Sequence, residues 1–158
     1  LRPHSRGTVR LVSADPLAAP LIDPAFLSDP RDLATLRKGA RRLSEIMAAP
    51  ALARYRGKEI YPAGETDAEL NAAIRARADT IYHPVGTCRM GSDGAAVVDP
   101  DLKFNGIEGL RVVDASVMPR LIGGNTNAPV IMMAEKTAAA MRAERQPARR
   151  MEAGLNFA

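Results

Sequence analysis

Histidine is the residue type in this sequence best suited to acid–base chemistry, and the chain contains only two, His4 and His83. His83 lies in residues 81–91, a largely apolar run that Pro84 and Gly86 interrupt. An imidazole titrates near neutral pH, so it can act as a general base toward a substrate proton. A histidine in an apolar loop is more often a core residue with its polar atoms satisfied. The residues alone leave both interpretations open.

A second group of polar residues lies at positions 123–129, where two glycines precede Asn125, Thr126 and Asn127. The glycines allow the backbone to approach another group closely. A helix is predicted to follow, and the free N–H groups at a helix N-terminus favour negative charge. The run therefore predicts either a site for an anionic group or a simple helix cap by Thr126 or Asn127.

A third run, residues 110–119, begins with an apolar segment and continues into Asp114, Ala115 and Ser116. The apolar segment predicts a buried strand over residues 110–113. Open α/β sheets bind ligands beyond the carboxyl ends of their strands. Asp114 is therefore either a ligand contact or an ordinary turn residue at the end of a strand.

The chain has one cysteine, Cys88, five positions after His83. A thiol nucleophile and its base need a fixed mutual geometry, which this spacing in an irregular loop does not establish. One cysteine and two histidines also fall short of the usual zinc ligand set. We therefore predict no metal site, and we expect Cys88 to be a small buried apolar residue.

Periodicity and turn signals predict the elements that must position these residues. The helices are expected to begin behind good capping residues, with Asp29 or Ser28 before the first and Thr66 or Asp67 at the second. In chain order the expected elements are a strand at 6–14, extended proline-rich segments at 16–30, a helix at 30–48, a short helix to 78, a short strand at 96–98, a turn at Asn105 and Gly106, the strand at 110–113 and a helix at 129–145.

Composition excludes several classes of protein. The 158 residues are 46% hydrophobic and 25% charged, which is typical of a globular chain and not of a disordered one. No window approaches the roughly 18 apolar residues that span a bilayer, and the first residues do not form a signal peptide, so a cytoplasmic location is expected. The net charge is +4, and the runs of basic residues that contribute to it have no interleaved aromatic residues. Nucleic-acid binding by base stacking is therefore not predicted.

Taken together in this order and spacing, the three runs resemble the C-terminal region of the glucose–methanol–choline (GMC) family of FAD-dependent oxidoreductases. Within that family the sequence is most similar to the bacterial choline and alcohol dehydrogenases. Residues 5–32 resemble the start of the same region, and the likeness covers about residues 1–145. The matching runs are residues 82–91, 98–100, 109–119 and 124–129.

The resemblance implies an α+β fold class, in which a portion of an α/β FAD-binding fold accompanies part of an antiparallel-sheet substrate domain. Residues 1–79 would belong to the substrate-binding domain and residues 80–145 to the FAD-binding domain, with 146–158 as a flexible tail. The implied cofactor is FAD. The implied reaction is oxidation of a primary alcohol, choline-like or other, to an aldehyde.

The resemblance also implies roles for three residues around the substrate. His83 matches the histidine that takes the hydroxyl proton while the neighbouring carbon gives hydride to FAD. Asn125 falls on the family's second active-site position. Tyr82, next to the base, would line the substrate pocket.

Four further residues match the family's cofactor contacts. Asp114 and Ala115 match a strand-end contact to the ribityl and phosphate region of the flavin. Thr126 and Asn127 would face the pyrimidine side of its ring, where a helix N-terminus stabilises negative charge.

The sequence departs from the family in one respect, because it contains no Gly-x-Gly-x-x-Gly fingerprint for the adenosine half of the cofactor. We therefore expect a C-terminal third of a longer enzyme, with its missing N-terminal portion and a small-molecule alcohol as partners. Self-association is left open. Strand edges without neighbours would be exposed, and the isolated chain would bind FAD weakly. The alternative is a truncated, non-catalytic remnant that acts as a basic interaction module.

Overall fold

The computed structural model describes residues 2–145, so the tail expected at 146–158 lies outside the described residues. Contacts divide the chain between Tyr82 and His83 into two units, each of which is described by itself below. No helix among the described residues combines the length and apolarity needed to cross a bilayer. The elements, in chain order, are β1 (Thr8–Arg10), β2 (Leu21–Asp23), α1 (Pro30–Met47), a 3-10 turn (Pro50–Leu52), α2 (Asp67–Arg77), a second 3-10 turn (Ala115–Val117) and α3 (Asn127–Arg145).

The first unit starts with a small antiparallel sheet in which Val9 of β1 lies opposite Ile22 of β2. A Cβ at Gly7 would overlap the carbonyl oxygen of Asp23, so the residue before β1 has to be glycine. The predicted strand over 6–14 is confirmed only for Thr8–Arg10. Pairing ends there because the chain turns back through residues 12–18 to form β2.

Helix α1 begins where the sequence predicts, because two local signals coincide. Pro30 occupies the first turn, where its missing N–H is not needed, and the Asp29 carboxylate accepts the N–H of Arg31 at 2.9 Å. Asp32 then accepts the backbone N–H groups of His4 and Ser5, each at 2.8 Å. The chain before β1 is thereby fixed to the start of α1.

Helix α2 begins with a reciprocal capping box between Thr66 and Glu69, which confirms the second predicted helix start. It packs against α1, and Leu70 is its buried residue. Asp67 pairs with two cations of α1, Arg41 and Arg37, the latter at 3.2 Å.

The second unit has a small core of Val98, Leu102 and Val117. Single β-bridges rather than full strands surround it, including one between Met90 and Val98. Helix α3 contributes Met133 to the same cluster. The helices and the two-stranded sheet together are consistent with the α+β class expected from the sequence.

The predicted buried strand over 110–113 is wrong as a description of this chain. Arg111 forms one antiparallel bridge with Lys103, and Leu110 is 43% exposed. The turn between these segments is confirmed, since Gly106 has a φ of +90°. A buried strand needs hydrogen-bonding neighbours on both edges, and the described chain places only residues 102–104 beside this one.

Candidate functional site

The loop that carries His83 is fixed to the turn that follows Asp114. Its Cys88 N–H donates to the carbonyl oxygen of Ser116 at 3.1 Å, and its Met90 N–H donates to that of Val117 at 2.8 Å. Cys88 itself is half-buried, less enclosed than expected. Two of the three runs that the sequence analysis selects are therefore neighbours in the structure.

Gly86 shapes the loop around His83 through its backbone conformation. Its φ of +93° lies in the left-handed region, which glycine adopts without strain. A Cβ there would lie 3.4 Å from the carbonyl oxygen of Met118, which is an ordinary contact distance. The positive φ, and not a lack of space, is therefore the reason for glycine at this position.

The imidazole of His83 is half-buried, and its Nδ1 atom has no hydrogen-bond partner among the described residues. The hydroxyl oxygen of Ser116 is also buried and also has no hydrogen-bond partner among the described residues. Buried polar atoms in proteins are almost always paired. Each of the two atoms therefore marks a place where a group outside residues 2–145 is expected to supply a hydrogen bond.

Asp114 caps the short helical turn Ala115–Val117, because its Oδ1 accepts the Ser116 N–H at 2.7 Å. Asp114 is exposed and Ala115 is half-buried. The turn interpretation of Asp114 is confirmed. The exposed carboxylate remains free to contact a ligand as well, so the flavin role of both residues stays a prediction.

Helix α3 starts at Asn127, two residues before the predicted position. The Val130 N–H donates to the Thr126 carbonyl oxygen at 3.0 Å, so Thr126 occupies the position that precedes the helix. Thr126 thus stands where a capping residue is expected, and a side-chain cap by Thr126 or Asn127 stays a prediction.

Two predicted site residues are not joined to these features by any hydrogen bond in the described part of the chain. Asn125 is exposed just before α3, and its proximity to His83 stays a prediction. Tyr82 is 77% exposed and is the last residue of the first unit. The sequence analysis did not select Ser116 as a site residue, although its place directly after Asp114 and Ala115 was a signal.

Comparison with known proteins identifies what this arrangement is similar to. A family model described as GMC oxidoreductase matches residues 3–134. The chain is 54% identical over 140 residues to an alcohol dehydrogenase (acceptor) of Pseudomonas putida, covering 87% of this chain and 25% of that protein. It is 49% identical over 151 residues to an oxygen-dependent choline dehydrogenase of Paraburkholderia xenovorans, covering 94% of this chain and 27% of that protein.

Two solved structures have a similar fold. Pyridoxine 4-oxidase from Mesorbium loti aligns with a TM-score of 0.87 at 36% identity, over 92% of this chain and 29% of that chain. An FAD-dependent oxidoreductase from Chaetomium thermophilum aligns with a TM-score of 0.85 at 35% identity, over 91% and 26% of the two chains. The chain thus spans about a quarter of the length of the curated relatives it matches.

Proposed function

We propose, from the premise that this chain belongs to the GMC oxidoreductase family, that it is the C-terminal part of an FAD-dependent enzyme that oxidises a primary alcohol to an aldehyde. The observation that carries the proposal is the half-buried imidazole of His83, held in a loop fixed to the turn after Asp114, with an Nδ1 atom that has no hydrogen-bond partner among residues 2–145. The names of the relatives support alcohols as the substrate class, choline-like or other. The cytoplasmic location stays a prediction.

The described residues fit a flavin on two observations. The first turn of α3 carries N–H groups without intrahelical acceptors, as every helix N-terminus does, and such groups favour an anionic neighbour. The buried hydroxyl of Ser116 is available to a hydrogen-bonding ligand beside Asp114 and Ala115. Thr126 and Asn127 would hold the pyrimidine side of the ring, and Asp114 and Ala115 the ribityl and phosphate region.

When bound, FAD supplies the acceptor for the hydride that leaves the alcohol carbon. His83 supplies the base. A neutral imidazole carries one proton, and placing that proton on the enclosed Nδ1 atom leaves the lone pair of Nε2 to accept the hydroxyl proton of the substrate. An alkoxide releases hydride far more readily than an alcohol, so this proton transfer lowers the barrier.

Asn125 and Tyr82 would orient the substrate. The amide of Asn125 can donate a hydrogen bond to the alcohol oxygen as negative charge develops there. Tyr82 would contact the rest of the substrate. Both roles follow from the resemblance to the family, and both are proposals.

The ion pairs of α1 argue against the alternative of a basic interaction module. A basic surface attracts phosphates only where its cations are not already neutralised. Four of the five cations in the run at residues 31–42 form ion pairs, with three carboxylates between them, which offset three of the five positive charges. These pairs are Arg31 with Asp29, Arg37 and Arg41 with Asp67, and Arg42 with Glu45.

The test uses the full-length protein that contains this chain. His83→Ala should slow reduction of the flavin by substrate about a hundredfold, the usual scale for a lost acid–base group. His4→Ala is the matched control, because its exposed imidazole makes no hydrogen bond to the described part of the chain and the backbone bond to Asp32 is kept. Stopped-flow absorbance of the flavin measures both rates. A His83→Ala protein that reduced its flavin at the parental rate would exclude His83 as the base.

A further inference from the structure

The loop that carries His83 is hydrogen-bonded at its far end but not beside the histidine. The N–H groups of Cys88 and Met90 donate to two carbonyl oxygens of the turn Ala115–Val117, at 3.1 and 2.8 Å. Within the described chain, no backbone hydrogen bond fixes residues 83–87. All of these segments lie in the second unit. On this side of the histidine, the direction of the imidazole therefore depends on the backbone angles of the few residues that lead to the fixed part of the loop.

Gly86 is the joint in this part of the loop. The ring of Pro84 fixes its own φ and favours an extended backbone at His83. Val85 and Thr87 carry branched Cβ atoms, which exclude a positive φ in all but strained structures. Among residues 83–87, only Gly86 has a positive φ, of +93°. The conformation that an ordinary residue could not reproduce is therefore concentrated at one position, three residues from the candidate base.

The place of Gly86 is defined by a contact with a buried segment. An added Cβ would lie 3.4 Å from the carbonyl oxygen of Met118, so the backbone at residue 86 lies against the chain that also holds Cys88 and Met90. Met118 is buried, and Val117 beside it belongs to the core of the second unit. The joint thus rests on the most tightly packed part of its own unit.

We propose that Gly86 is a positioning residue for His83. Its left-handed φ sets the direction in which residues 83–85 leave the fixed part of the loop, and with it the direction of the imidazole. The three residue steps from His83 to Gly86 span at most about 10 Å, so a rotation of about 10° at Gly86 would move the imidazole by on the order of 1 Å. This role rests on the proposed function, because the direction of the imidazole affects the rate only if His83 is the base.

A positioning role differs from a merely structural one in what it changes. Alanine at any glycine position with a positive φ strains the backbone and lowers stability. Only a strain that displaces the base slows the chemical step in a protein that still binds flavin and substrate. Gly106 of the same unit supplies the matched control, because its φ of +90° is nearly the same and an added Cβ there would meet no described atom within 4 Å.

The first experiment compares Gly86→Ala with Gly106→Ala in the full-length holoprotein. Both substitutions should lower the unfolding temperature, because each places alanine in a left-handed conformation. With a saturating primary alcohol, Gly86→Ala should reduce the flavin at least about tenfold more slowly, with unchanged flavin content and unchanged apparent Kd for the alcohol. Gly106→Ala should reduce it at the parental rate. A parental rate for Gly86→Ala, or equal slowing by the two substitutions, would overturn the proposal.

A second variant separates backbone conformation from side-chain size. Asparagine is larger than alanine but adopts left-handed conformations several-fold more often than most residues. Gly86→Asn should therefore reduce the flavin faster than Gly86→Ala, and the reverse order would overturn the proposal. If Gly86→Ala gives no folded holoprotein, Gly86→Asn is compared with Gly106→Asn instead. Slowing confined to position 86 would support the positioning role, and a parental rate there would exclude it.

A third comparison separates failure of this proposal from failure of the proposed function. In the His83→Ala protein, Gly86→Ala should have no further effect on flavin reduction, because the group that Gly86 positions is gone. If His83→Ala slows the reaction and Gly86→Ala does not, only the positioning role fails. If His83→Ala leaves the reaction at the parental rate, the base assignment fails as well.

Discussion

An asparagine at position 125 can hold an alcohol oxygen without competing for its proton, since an amide does not titrate. In the proposed site the imidazole of His83 is therefore the one group that would accept the proton. The amide contributes a hydrogen bond whose strength grows as the substrate oxygen becomes negative. The two side chains would thus act on the same oxygen in different ways.

Asn125→Ala should reduce flavin about tenfold more slowly and should also raise the apparent Kd for the alcohol, because the lost hydrogen bond acts in binding and in the chemical step. Asn125→Asp is the matched comparison. It keeps the size of the side chain, removes the N–H donor and adds a negative charge, so its loss should be larger. Flavin reduction measured across substrate concentrations separates the two parameters. Parental values of both for Asn125→Ala would remove this residue from the site.

Single residues were predictable from the sequence where their chemistry is intrinsic. His83 could be selected because an imidazole is a base wherever it lies. The buried hydroxyl of Ser116 could not be predicted, because its enclosure depends on the hydrogen bonds that Cys88 and Met90 make to the turn after Asp114. Such contacts join residues far apart in the chain, and no local pattern encodes them.

At the scale of secondary structure, local signals predicted helices well and strands poorly. The starts of α1 and α2 depend on Asp29, Pro30 and Thr66, which act within their own first turns. The apolar run at 110–113 has strand composition, but a strand exists only when another strand pairs with it. Its incomplete pairing is what we expect if the neighbouring strands belong to the rest of the longer protein.

Asp32 should contribute measurably to stability, because its carboxylate fixes the chain before β1 to α1. It accepts three hydrogen bonds, from the N–H groups of His4 and Ser5 and from the Ser5 hydroxyl. Asp32→Ala in the full-length protein should lower the free energy of unfolding by about 2 kcal/mol. Glu45→Ala, which removes an exposed pair with Arg42, should change it little. Equal effects of the two substitutions on thermal unfolding would contradict this role.

The contribution of Asp32 should also depend on pH. Partial burial acts to raise the pKa of its carboxyl group, but the hydrogen bonds from His4 and Ser5 outweigh it and the net pKa is lowered. A lowered folded pKa means that the stabilisation is present above the ordinary value near 4 and is lost as pH falls through the folded pKa. The difference in unfolding temperature between the parent and Asp32→Ala should therefore shrink in acid.

Over the whole molecule, apolar side chains remain exposed where a larger protein would cover them. Val9 and Ile22 lie opposite each other on one face of the β1–β2 pair and are 49% and 65% exposed. A two-stranded sheet is marginally stable alone. These residues support the proposal that an N-terminal portion adds strands and covers this face, in agreement with the fraction of the relatives that the chain matches.

The 158 residues alone should not bind FAD tightly, because the described chain offers only part of a binding site and the sequence has no dinucleotide fingerprint. Titration of the purified chain with FAD, followed by the fluorescence of the flavin, should show weak binding or none. The full-length protein serves as the positive control. Recovery of a stable yellow complex from the isolated chain would contradict the expectation.

The far end of α3 offers a way to influence its first turn without touching the chemistry. Arg111 donates to both carboxylate oxygens of Glu144 at 2.7 Å, and Lys103 lies 3.6 Å from the same group. An α-helix of 19 residues is a stiff rod about 28 Å long, so an anchor at Glu144 also sets the axial position of Asn127. Under the proposed flavin contact at Thr126 and Asn127, substitutions at this distant ion pair would change the electrostatic environment of the cofactor while the reacting groups stay intact.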